Sequence, residues 1–298
     1  MPADPRPPRL LSCGEVLWDL FPDGARFGGA PANFACHARL LGGEVSMLSA
    51  VGNDARGDEA LAIFQGFGMD ASLVQRSADE ATGSVGVRVD AAGKPGYAIQ
   101  ENSAWDRIAW TNALETRLAE VDAIYFGTLG QRGAVSRATI RRALSVAETR
   151  GLLRVLDVNL RPPFYDAALI RESLAQASVL KLSDDELSEV SAACGIALEA
   201  CPETALRTLL MKFGLALVVM TRGANGALLV SADGAVEQPG IPTVVRDTVG
   251  AGDAFTAAFT LGLLRGEPHD DILRKACETA SAVCAQDGAV PHPGEAAD

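Results

Sequence analysis

The chain of 298 residues sets 38 Asp and Glu against 26 Lys and Arg, a formal net charge of −12, and 48% of it is hydrophobic. At this length folding buries roughly 75% of the surface an unfolded chain exposes, so a large core forms without disulfide or structural metal and dominant disorder is excluded. The basic residues are scattered at low density, which argues against a nucleic-acid partner, because phosphate backbones need a clustered basic face. No apolar run approaches the ~20 residues that span a bilayer. The Pro-rich stretch from Met1 to Arg9 lacks the hydrophobic segment of a secretion signal, so a cytoplasmic location without membrane contact is expected.

Apolar β-rich runs alternate with amphipathic stretches along nearly the whole chain, the pattern of a parallel sheet covered on both faces. In order, Leu10–Cys13 reads as a strand, Ala32–Leu41 as a helix, Ser46–Val51 as a strand and Ala55–Phe67 as a helix. Thr82–Asp90 and Pro95–Glu101 then break the alternation. They read as a hairpin across Ala91, Ala92, Gly93 and Lys94, an element that stands off the main sheet as a lid. The alternation resumes with strands at Ala123–Phe126, Leu152–Val158, Val179–Leu182 and Leu215–Thr221. Helices at Ala134–Thr149, Ala167–Ala175, Asp184–Ala193 and Glu203–Phe213 lie between them. A late helix, Asp253–Arg265, sets Phe255, Phe259 and Leu263 on one face, as core. One α/β domain spanning residues 1–298 is expected, its lid formed by about 82–101 with part of 15–30. The six cysteines form no C-x-x-C pair or zinc-type cluster and read as reduced thiols. His37, His269 and His292 lie far apart and receive no role.

The strongest local signal is Asp247-Thr248-Val249-Gly250-Ala251-Gly252-Asp253 ahead of that late helix. Gly250, Ala251 and Gly252 form a turn whose free N–H groups and helix dipole make an anion site. Asp253 there is either a helix cap or, as chemistry, a base for a hydroxyl proton beside donors that receive a phosphoryl group. The second signal is Gly28-Gly29-Ala30-Pro31-Ala32-Asn33. Its glycines permit close backbone approach, and Asn33 suits a polyhydroxyl ligand, although an ordinary helix start reads the same way. Neither a P-loop nor a dinucleotide fingerprint is present.

These two Gly-rich motifs, in this order and about 220 residues apart, resemble the two signatures of the ribokinase-like (PfkB) carbohydrate kinases. Matches at Gly14-Glu15-Val16-Leu17-Trp18-Asp19, Gly52-Asn53-Asp54-Ala55-Arg56-Gly57, Asp157-Val158-Asn159-Leu160-Arg161 and Thr221-Arg222-Gly223-Ala224-Asn225-Gly226 carry the resemblance from residue 13 to about 291. Within the family, G-E-V-L-W-D, G-G-A-P-A-N-F-A, E-N-S-A-W-D and F-G-T-L-G-Q-R look most like bacterial fructokinases. The resemblance implies a ribokinase-like α/β fold, with a mostly parallel central sheet, helices on both faces and a small β lid. It also implies phosphoryl transfer from ATP to a free hexose, with Mg²⁺.

Residue by residue, it implies Asp253 as base, and Gly250, Ala251 and Gly252 as anion hole. Asp19, placed at the end of the first strand, joins Gly28, Gly29 and Asn33 as sugar contacts. Arg161 is assigned to the transferring phosphoryl group. Lys181, Thr221, Gly223, Gly226 and Gly252 are implied on the nucleotide side. Glu186 orients Mg²⁺ through water, though Ser183 replaces the Asn of the family's N-x-x-E pattern and equally caps the helix that follows. Asp247, Val249 and Gly288 resemble a monovalent-cation site, for K⁺, found in part of the family. Fructose is the expected acceptor. 2-Keto-3-deoxygluconate or ribose would use the same machinery, and a nucleoside fits less well for want of an aromatic sandwich for a base. A catalytically silent sugar-binding regulator is the reading from another class. Exposed strand edges on the hairpin lead to the expectation of a homodimer through the β lid.

Overall fold

The computed structural model describes residues 6–89, 95–197 and 201–291. The loop expected at 91–94, the first five residues of the Pro-rich stretch and His292 lie outside them. The first half runs β1 (Arg9–Cys13), β2 (Leu17–Phe21), β3 (Gly24–Gly28), α1 (Ala30–Leu40), β4 (Glu44–Gly52), α2 (Ala55–Gly66), β5 (Val74–Ser77), β6 (Gly83–Val89), β7 (Pro95–Ile99), α3 (Asn112–Leu118), β8 (Ala123–Gly127) and α4 (Ala134–Thr149). The second half runs β9 (Leu153–Asp157), α5 (Ala167–Gln176), β10 (Val179–Ser183), α6 (Asp184–Ala193), α7 (Pro202–Phe213), β11 (Leu217–Thr221), β12 (Ala227–Ser231), β13 (Gly234–Gln238), α8 (Ala251–Leu264) and α9 (His269–Cys284).

Nine strands form one sheet in the order β13-β12-β11-β10-β9-β8-β1-β4-β5. From β11 to β5 neighbouring strands are parallel, and β12 and β13 extend the β11 edge antiparallel. This is a ribokinase-like α/β fold. Each central strand feeds two apolar layers by strict alternation. Leu10, Val155 and Val179 face the layer of α1, α8 and α9, while Leu11, Leu156 and Leu180 face the layer of α3 to α7. Helix starts are fixed by local chemistry. Asp54 accepts the Gly57 N–H at 2.8 Å, Asp166 accepts that of Leu169 at 2.7 Å, and α7 begins at Pro202 and stops at left-handed Gly214.

A second sheet of four strands, ordered β3-β2-β6-β7, stands against one end of the large one. Here the structure corrects the sequence reading: Asp19 lies at the middle of β2 in the small sheet, opposite Arg26 of β3 and Val85 of β6, and not at the end of the first strand. The chain leaves β1 at Cys13 and uses Gly14, at φ 145°, to change direction. The short β5, β12 and β13, together with α3 and α9, were also absent from the sequence reading. Helix α9 buries Ile272, Leu273, Ala276, Cys277 and Val283. Among the described residues no helix is long and apolar enough to cross a membrane.

Phe255 and Phe259 stack at 6.0 Å in the core, as the spacing predicted, while Leu263 is only half buried. Phe259→Ala is expected to cost about 3–5 kcal/mol of stability by transfer and cavity effects. Urea denaturation should then show a lower midpoint with an unchanged slope.

Candidate active site

The C-terminal ends of the parallel strands and the small sheet enclose a cleft of about 500 Å³. Strand parity explains its floor. Asp157 lies two residues after Val155, and Lys181 two after Val179, so both side chains point toward the α8 layer, and the two residues are register partners. Lys181 Nζ reaches Asp157 Oδ2 at 3.0 Å and Oδ1 at 3.2 Å with both side chains almost fully buried, and Thr256 Oγ1 of α8 donates to Asp157 at 3.3 Å. Lys181, expected on the nucleotide side, lines the cleft with its ammonium held by this carboxylate.

Helix α8 opens on Gly250 at φ 80°, a left-handed conformation, and a Cβ there would strike the Ala289 carbonyl. Among the described residues the N–H groups of Gly252 and Asp253 have no hydrogen-bond acceptor. They and the helix dipole form a donor site for an anion. Asp253 sits in this first turn, 8% exposed, and accepts a hydrogen bond from Asn33 Nδ2 at 2.9 Å. Asn33 is in the first turn of α1, so the two Gly-rich motifs meet through this bond, 220 positions apart in sequence. Gly29 starts α1 at φ 107°, and a Cβ on it would lie 2.6 Å from the Glu15 carbonyl. His37, buried and held neutral by desolvation, donates Nε2–H to the Ala289 carbonyl and so fastens the chain beside Gly250 to α1.

Asp19 enters the cleft from the small sheet, and the absence of a side chain at Gly28 gives its carboxylate room. Asn159 adopts φ 41° after β9, and the Leu160 N–H donates to Glu186 Oε1 at 2.8 Å. These two features turn Arg161 into the cleft, where among the described residues its guanidinium bonds only the Leu160 carbonyl. Glu186 Oε2 accepts from Ser183 N at 2.8 Å and Ser183 Oγ at 3.1 Å, a capping box at the start of α6.

Thr221, Gly223 and Gly226 lie at the end of β11 and the tight turn into β12, outside the lining of the cleft. Gly28 and Ala251 are not among the residues that line it. Asp247 accepts the N–H groups of Val249 at 3.0 Å and Gly288 at 3.1 Å, so the three residues expected at a cation site are neighbours. Among the described residues no cluster of three His, Cys, Asp or Glu could hold a metal by itself. The hard carboxylate oxygens of Glu186 suit Mg²⁺, which keeps much of its water and is completed by nucleotide phosphates.

Burial dominates the electrostatics. Desolvation, with the neighbouring Asp157 charge, lifts the Asp253 carboxyl from the ordinary 3.8 to about 7, against the opposing Asn33 bond, Lys181 and Arg161. Glu15, 4% exposed in the cleft wall and with Oε2 unpartnered among the described residues, is likewise raised by burial to about 7. Asp19 is raised by burial and partly restored by Arg161 and Arg26. Sequence reasoning assigned no role to Glu15, Asp157 or Asn159. The signal for the second was a carboxylate and an ammonium at matching places in two apolar strands.

A carboxylate of adjustable charge beside a helix N-terminus, with a free guanidinium opposite and a second carboxylate across the cleft, suits phosphoryl transfer to an alcohol. A family model described as pfkB family carbohydrate kinase matches residues 24–294, and the chain belongs to that family. It is thus a carbohydrate kinase, a phosphotransferase with an alcohol as acceptor. The aminoimidazole riboside kinase of Salmonella typhimurium is 29% identical over 86% of this chain and 79% of its own length. A probable fructokinase-5 of Arabidopsis thaliana is 28% identical over 95% and 94%. A fructokinase of Vibrio cholerae, solved in a fructose, ADP and calcium ion bound form, superposes with a TM-score of 0.81 at 23% identity, over 96% of each chain.

The raised Asp253 pKa has a consequence for stability. Folded Asp253 holds a proton that the unfolded carboxyl releases near 3.8, so its contribution is present in acid and is lost as pH climbs toward about 7. Asp253→Asn should therefore melt a few degrees above the wild type at pH 8, and the gap should close near pH 4 in thermal scans.

Proposed function

We propose that the protein is an ATP-dependent fructokinase that acts in the cytoplasm and forms fructose 6-phosphate, with Asp253 as the base. The observation that carries this is the Asp253 carboxylate, fixed by Asn33 at the donor end of α8 and facing a cleft that Asp19 enters from the other side. Asp19, with Asn33 and the backbone at Gly28 and Gly29, takes the sugar hydroxyls. The reacting hydroxyl then lies against Asp253, which removes its proton as the oxygen attacks the γ-phosphate in line. The Ala251 N–H is taken by the Thr248 carbonyl at 3.3 Å, so the N–H groups of Gly252 and Asp253, with the Arg161 guanidinium, receive the charge of the transferring group.

Thr221, Gly223 and Gly226 hold the nucleotide, together with Lys181, whose ammonium also pairs with Asp157 beside the site. Glu186 would hold Mg²⁺ through water while its oxygens cap α6. When bound, Mg²⁺ neutralises phosphate charge. Asp247, the Val249 carbonyl and the Gly288 loop form a K⁺ site that stiffens the anion hole, and a potassium-dependent rate is its readout. The small sheet closes as a lid over the sugar and excludes water as a competing acceptor. Its edge strands pair two copies of the chain into a dimer. A riboside acceptor is the second reading, favoured by the 29% identical relative and by Phe21, which places an aromatic ring in the cleft wall.

Asp253→Asn should lower kcat by roughly 10²–10⁴ while fructose binding persists. In the wild type kcat/KM should rise with pH through about 7, because the base must be ionised. Coupled-assay turnover and isothermal titration of fructose check both. Near-wild-type turnover in the variant sinks the assignment.

A further inference from the structure

Arg132 carries no role in the scheme above, yet its guanidinium holds a carboxylate, a backbone carbonyl and two aromatic rings at once. Its side chain is 7% exposed and forks onto Asp106, Nε to Oδ1 and Nη2 to Oδ2, each at 2.8 Å. Nη2 also donates to the Gln100 carbonyl at 2.5 Å. The guanidinium lies between two rings, 3.9 Å from the Trp105 centroid and 4.6 Å from that of Phe164. Its field reaches the buried Glu15 carboxyl in the cleft wall, and among the described residues both Arg132 Nη1 and Glu15 Oε2 are buried without a partner.

Each contact leads to a different moving part. Gln100 follows β7 directly, and its N–H donates to the Ser84 carbonyl of β6 while its side chain accepts from Ser84 Oγ, so its backbone belongs to the small sheet. Phe164 closes the turn that begins at Arg161, donating its N–H to the Arg161 carbonyl at 2.9 Å. A planar fork stacked between rings is a stiff link, because it has one orientation that satisfies all its partners.

We infer that Arg132 is a positioning residue that couples the seating of the lid sheet, through Gln100, to the placement of Arg161, through Phe164. The inference rests on the kinase reading of the cleft. When the small sheet settles on the sugar, the Gln100 carbonyl holds the guanidinium, and the stacked Phe164 holds the loop that aims Arg161 at the transferring group. A chain without this link binds both substrates but aligns them poorly and admits water.

The test is steady-state kinetics of Arg132→Lys, Phe164→Leu and the double variant, with ATP hydrolysis in the absence and presence of sugar measured alongside. Lysine keeps the charge but cannot fork to Asp106 and Gln100 while stacked. The expected result for Arg132→Lys is a kcat lower by about 10–100-fold. Its sugar KM should rise about fivefold, its ATP KM should be unchanged, and a larger share of ATP should go to water. Phe164→Leu should lower kcat alone, and in the double variant the kcat losses should be less than additive. A kcat within twofold of wild type in Arg132→Lys overturns the inference, as does a loss with both KM values and the hydrolysis share unmoved and additive with Phe164→Leu. If Arg132→Lys does not fold, an unchanged kcat in Phe164→Leu overturns it. A wild type that transfers no phosphoryl group to any sugar overturns the kinase reading and the inference together, an outcome distinct from all of these.

Discussion

The buried carboxylate of Asp157 imposes the constraint around which the cleft is arranged. A charge in that position is tolerable only with a partner, and Lys181 supplies it from the next parallel strand, with Thr256 adding a hydrogen bond from α8. The pair ties β9, β10 and α8 together at the ends of the strands. It also sets the field felt by Asp253, whose carboxyl is raised first by burial and then by Asp157. Two carboxyls share this wall with one ammonium; burial raises both, Lys181 opposes the rise at each, and Asp253 is left able to gain or release a proton near neutral pH.

The remaining parts converge on that wall from distant stretches of chain. Asn33 brings α1 to Asp253, Glu186 turns the loop that carries Arg161, and Gly250 lets α8 begin close to the Ala289 carbonyl. Asp19 comes from the small sheet. The net charge of −12 is no obstacle to a phosphate ligand, because the cleft offers unengaged backbone N–H groups at the start of α8 beside Arg161 and Lys181, and the first of these do not enter a charge count.

Much of the architecture was legible in the sequence. Apolar β-rich runs and amphipathic runs have different periods, and that difference alone placed β1, β4 and β8 to β11 with most of the helices between them. Gly250 and Asp253 stood out because a Gly-rich turn ahead of an apolar helix frees N–H donors; a helix cap reads the same way, and the second Gly-rich motif and the family resemblance singled them out. The location of Asp19 was not, because a five-residue strand such as β2 is too short to show its sheet partners, and the partners lie at Gly24–Gly28 and Gly83–Val89. Helix α9 was legible in principle, because Ile272, Leu273, Ala276 and Val283 share one buried face, and the sequence reading passed over it. Asp157, Glu15 and Arg132 were hidden for a different reason: each acts through burial or through contacts made by distant segments, and neither is encoded in local spacing.

The central claim is transfer of the ATP γ-phosphoryl group to a sugar hydroxyl at Asp253. Its most direct test is ATP turnover by the wild-type chain across a panel of fructose, ribose, 2-keto-3-deoxygluconate and a riboside, with the phosphorylated position assigned by NMR. The account predicts that fructose gives the fastest turnover and that phosphate appears on its C6 oxygen. ATP consumption that no member of the panel stimulates would contradict it.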